Sequence, residues 1–124
     1  MSVAQGRLDR LVARVHRSGS GSSSVQFQMH RANEEFHQTI HRAAGNNRLE
    51  AVIGQLQHSF PTEYIGPAMS EADELWALNV QEHAEIQDAI ARSDGASARE
   101  RMRSHVLHLS AVVLRYLDDR GFWR

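Results

Sequence analysis

The sequence predicts an all-α protein, an antiparallel bundle of about five to six helices. Three observations predict it. Apolar residues recur at three- and four-residue intervals along most of the chain, Gly and Ser/Asn/Asp signals punctuate those runs, and no stretch alternates with a period of two between turn signals. The 124 residues, 41% hydrophobic and 23% charged, fit one ordinary globular core.

A first helix is expected from Val3 to about His16, carried by Leu8, Leu11, Val12 and Val15. Residues 1–18 form this leading segment, and residues 19–24, Gly-Ser-Gly-Ser-Ser-Ser, read as a flexible connector whose last serine can cap the next helix. The second helix is expected over Val25 to Ala44, with Val25, Met29, Ala32, Phe36, Ile40 and Ala43 on one face and Gly45 as its stop. Asn47 with Glu50 marks the start of a third helix running to about Ser59, and Pro61 and Pro67 bound an irregular link. Ser70 with Asp73, and Ser97 with Glu100, have capping-box spacing. They predict two long helices, Glu71 to Arg92 ending at Asp94-Gly95, and Ala98 to Arg120 ending at Gly121. The chain is read as one domain, 1–124, in which residues 25–124 form the functional bundle.

Composition excludes several function classes. No apolar run approaches the roughly 18 residues a membrane span needs, and the N-terminus lacks the layout of a secretory signal, so a cytoplasmic location is expected. Without cysteine there is no disulfide, thiolate site or cysteine nucleophile, and any metal must be held by nitrogen and oxygen. A net charge of -1 is the wrong balance for a surface that neutralises many DNA phosphates. No Gly-rich phosphate loop is present.

Eight histidines remain to be placed. At about 100° per residue, Asn33 and His37 border the apolar face of their helix, one turn apart. His83 lies between the directions of Ile90 and Trp76, and His105 among those of Ala98, Val112 and Tyr116, so both face inward. His16, His30, His58 and His108 are read as surface residues, His41 as a rim residue. Three inward histidines and an Asn on three helices can assemble one metal site in a bundle core. Neutral imidazoles suit Zn, Ni, Fe and Mn alike, and an ion with only uncharged ligands would stay ready for an anion such as a carboxylate. The same histidines can instead make only hydrogen bonds in the core. Phe36, Ile40, Trp76 and Tyr116 are core residues first, with Trp76, Asn79 and Tyr116 the candidates for lining a ligand pocket.

Three phrases carry a family resemblance. Asn33-Glu34-Glu35-Phe36-His37, continuing to Ala44-Gly45-Asn46, resembles the signature of the FCD domain, the C-terminal effector domain of the FadR subfamily of GntR transcription regulators. Glu82-His83-Ala84-Glu85-Ile86 and Met102-Arg103-Ser104-His105-Val106 resemble its later histidine helices in the same order, and Arg120-Gly121-Phe122-Trp123 resembles common family tails. The resemblance spans residues 25 to 124 and implies a divalent metal (Zn, Ni or Mn) on Asn33, His37, His83 and His105. It also implies a small carboxylate metabolite as effector and allosteric control of a winged helix-turn-helix domain on DNA. Two departures stand out: Asn33 replaces the Asp of many metal-binding members, and no winged helix-turn-helix precedes Val25, as though the domain were truncated at its N-terminal end. The expected function is therefore ligand sensing rather than catalysis, in a homodimer that covers apolar surface left by the shortened front.

Two other functions compete. A small metal-dependent hydrolase would need a general base, and Glu82 and Glu35, though next to histidines or near them in sequence, are expected to point to other faces. A metal-free helical interaction module would use the inward histidines only for hydrogen bonds.

Overall fold

The computed structural model describes Gly6, Arg10, residues 23–59 and residues 62–124. Gly6 and Arg10 are helical; otherwise the expected leading helix, and most of the Gly/Ser connector, lie outside the described residues. The described helices are α1 (Ser23–Ala43), α2 (Asn47–Ser59), α3 (Ile65–Met69), α4 (Asp73–Ala91) and α5 (Gly95–Asp119), with a 3-10 turn at Thr62–Tyr64. There is no strand among the described residues, and the all-α class stands. No described helix is long and apolar enough to cross a membrane. The chain divides into two compact units, Met1–Pro67 and Ala68–Arg124.

In the first unit α1 buries Val25, Met29, Ala32, Asn33 and Phe36, a stripe at helical spacing that fades over the last two turns, where Ile40 is half-buried and Ala43 exposed. Its start at Ser23 places Ser24 within the first turn, not ahead of it. The helix stops at Gly45, whose φ of 68° is rarely open to residues with a Cβ, and the Gly45 N–H donates to the Arg42 carbonyl. Asn46, not Asn47, caps α2: its Oδ1 accepts from the Leu49 N–H at 3.0 Å. The described part of the expected irregular link, residues 62–67, is a 3-10 turn followed by the start of a short helix. Pro67 sits inside α3, tolerated because first-turn amides have no intrahelical acceptor to lose.

The second unit is built on the α4–α5 hairpin. Only Arg92, Ser93 and Asp94 separate the helices, and so short a connection makes them antiparallel neighbours. Ser93 takes φ 56°; its N–H donates to the Ile90 carbonyl and the Asp94 N–H to the Ala89 carbonyl, both at 2.9 Å, a Schellman turn with serine where glycine is usual. Gly95, the expected stop, is instead the first residue of α5. The turn folds back over Ala89, which is buried, while Ile90, expected to face inward, is 39% exposed.

Neither expected capping box forms. Ala72, with an extended backbone and no side-chain cap bond, precedes α4, and the Ser70 hydroxyl is used elsewhere, accepting from the Trp76 indole N–H at 3.2 Å. Asp94 caps α5 by accepting from the Ser97 N–H at 3.1 Å, starting the helix three residues before Ala98. That contact holds the Asp94 carboxyl below the usual carboxylate range. The far end of α5 closes on Gly121, φ 67°, with the Phe122 N–H on the Leu117 carbonyl. Arg120 stacks on the Tyr116 ring at 3.7 Å and pairs with Glu71 at 2.6 Å, tying the end of α5 to the chain just before α4.

Candidate metal centre

The hairpin's buried faces are unusual in being polar at their centre. Along α4 the buried residues are Trp76, Asn79, His83, Ile86 and Ala89; along α5 they are His105, Val113 and Leu117. His83 is 0% and His105 1% exposed, so neither imidazole can satisfy its nitrogens with water. The antiparallel register brings them together. Their Nε2 atoms are 3.2 Å apart, with ring centroids 4.8 Å apart and planes at 72°.

Two arrangements are compatible with a nitrogen pair at that distance. One ring can donate an N–H to the lone pair of the other, a single somewhat long hydrogen bond. Alternatively both lone pairs can address one ion: two nitrogens each about 2.0–2.1 Å from a common centre and about 100° apart at it are separated by this distance, between octahedral and tetrahedral angles. The separation of the two nitrogens is therefore that of neighbouring ligands on one transition-metal ion.

The other edge of the His105 ring decides which nitrogen is available. Its Nδ1 lies 3.2 Å from Glu82 Oε1, and the same oxygen is 3.4 Å from Nδ1 of His108. An ionised carboxylate only accepts, so Nδ1 carries the proton and Nε2 carries the lone pair. Burial lowers the His105 pKa, and Glu82 opposes that shift in part, so the ring is held neutral, the form that ligates metals.

These contacts correct two expectations. Glu82 does not point away from the inward histidines, and His108 is half-buried against Glu82 instead of facing solvent. An angle around α4 is measured about α4 alone, whereas Glu82 and His83, consecutive residues of α4, both reach the His105 ring of α5, one at Nδ1 and the other at Nε2. The carboxylate reaches the edge away from the His83 contact, which makes it an orienting group rather than a base beside the Nε2 atoms. The short turn between α4 and α5 sets this register and was the signal in the sequence that could have found both residues.

In the first unit Asn33 is buried and His37, one turn on, is half-buried; the His37 ring stands edge-on to Phe36 at 5.5 Å and 6.4 Å from the ring of His41. His37, like His83 and His105, offers an imidazole nitrogen of the kind that ligates a metal ion. His30, expected on the surface, is half-buried, and its Nδ1 is enclosed without a hydrogen-bond partner among the described residues. His58 is exposed as expected. Of the pocket candidates, Asn79 and Trp76 are buried on the His83 face of α4, whereas half-buried Tyr116 lies eleven residues past His105, about 16 Å along the helix.

A family model described as the FCD domain matches residues 3–108. No curated protein and no solved structure matches the chain.

Proposed function

The chain belongs to the FCD domain family of effector-binding domains in GntR-type regulators, and on that premise we propose that it senses a small carboxylate through a divalent metal ion. The observation that carries the reading is the buried His83–His105 pair, whose two Nε2 atoms sit at the separation of neighbouring ligands on one ion. His37 and Asn33 complete the proposed ligand set, with the Asn33 amide oxygen as the weaker, uncharged donor. A bound ion supplies net positive charge and an open coordination position, the combination that favours a carboxylate over a neutral molecule.

Asn79, one turn before His83 on the same buried face, is the proposed hydrogen-bonding contact for the effector, with Trp76 as apolar wall and Tyr116 at the outer end. Effector binding is proposed to favour one arrangement of an associated winged helix-turn-helix domain, since a ligand shifts an equilibrium only by its difference in affinity for two states. A homodimer and a cytoplasmic location belong to the same reading.

The test is elemental analysis and native mass spectrometry of protein purified without chelator. About one Zn, Ni or Mn ion per chain is expected, reduced to background in His37→Ala and His105→Ala, with a small carboxylate binding only the metal-loaded form. A chain that takes up no ion after chelation and reloading refutes the metal reading and leaves the metal-free interaction module. Turnover of an ester or amide by the loaded protein, lost in the same variants, would favour the hydrolase instead.

A further inference from the structure

Resting on the metal reading above, we infer that Glu82 is the positioning residue of the centre: it fixes the tautomer and direction of His105, and through them the affinity for the ion. Three observations converge. Glu82 Oε1 lies 3.2 Å from His105 Nδ1, the edge of the ring away from His83. The Glu82 side chain is 20% exposed, so its carboxylate is partly shielded while still reached by solvent. His108, one turn after His105, directs its own Nδ1 to the same oxygen at 3.4 Å and so helps hold the carboxylate in place.

Of the two imidazole nitrogens one must carry the proton in the neutral ring, and an acceptor on Nδ1 leaves the lone pair on Nε2, the atom facing His83. A carboxylate on the distal N–H also makes the ring more basic and locks its rotation, and loss of such a partner typically weakens metal binding about 10–100-fold. A glutamine at the position could still accept from Nδ1 but without charge; an alanine could do neither. The expected order of affinities is therefore wild type, then Glu82→Gln, then Glu82→Ala, whereas a residue that only packed would leave Glu82→Gln equal to wild type.

The experiment uses the full chain with Zn(II) by chelator competition, and with Co(II) for its visible spectrum. Nitrogen NMR of the imidazoles in metal-free protein adds a readout that needs no ion. We expect His105 as the Nδ1–H tautomer in wild type and a mixture of tautomers in Glu82→Ala. Zn(II) should dissociate about 10-fold more readily from Glu82→Gln and up to about 100-fold more readily from Glu82→Ala, with altered Co(II) bands. Wild-type protein that binds Zn(II) beside variants of unchanged affinity, or a wild-type His105 carrying its proton on Nε2, overturns the role of Glu82 alone. Wild-type protein that binds neither ion overturns the metal reading and this inference together.

Discussion

Replacing the two buried imidazoles by leucine separates what they do for the fold from what they do for a ligand. His83 and His105 are polar rings in an environment without water, and the contact between their Nε2 atoms is the interaction each loses if the other is removed. In metal-free protein, His83→Leu keeps most of the volume but leaves the His105 Nε2 lone pair buried without that partner, at a cost of about 1–3 kcal/mol. His83→Ala adds a cavity at a position with no exposure, and the total should reach about 3–5 kcal/mol. The double variant His83→Leu/His105→Leu removes both halves of the contact, and replacing a paired polar group by apolar ones is often close to neutral. It should therefore be less destabilised than the sum of its single variants by at least about 1 kcal/mol.

Denaturant unfolding in the presence of chelator measures all four corners of that cycle. In thermal melts, Zn(II) at about a hundredfold excess over Kd should stabilise wild type by about 3 kcal/mol, on the order of 10 °C in Tm, and none of the variants. Additive single and double variants would show that the two rings do not depend on each other. A Zn(II)-induced rise that survives in the double variant would show that the ion binds elsewhere.

Three further outcomes are expected from the same hairpin. Ser93 occupies a left-handed backbone conformation without being glycine, so Ser93→Gly should stabilise the chain by about 0.5–1 kcal/mol in urea; a loss of stability would mean that the hydroxyl matters more than the backbone. Metal-free wild type should lose stability as pH falls below about 6.5: the His105 pKa is lowered by burial, so the unfolded chain takes up that proton first, and the dependence should weaken in His105→Leu. Asp94→Ala removes the acceptor for the Ser97 N–H and should lower Tm by about 5 °C near neutral pH. Because the Asp94 carboxyl is held below its ordinary range, that contribution fades as pH falls through the folded-state value, and the two melting curves should converge under acid.

Helical periodicity in the sequence was enough to establish the class of fold, the burial of Val25, Met29, Ala32 and Phe36, and the inward direction of His83 and His105, because a core-facing stripe is written along each helix by its own period. The Phe-His and histidine-helix phrases were enough to point to the family that the comparison then matched. Helix starts were less legible. Capping depends on which of several competent side chains the turn brings to the free amides, so Asp94 and Asn46 hold positions that spacing assigned to Ser97 and Asn47. What only the tertiary structure decided is the pairing across the hairpin: that His83 and His105 meet at Nε2, and that His105 and His108 share one Glu82 oxygen at their Nδ1 atoms. A helical wheel gives each side chain a direction about its own axis but no second axis to point at. The contacts exist because the turn at Ser93 sets where α5 lies over α4.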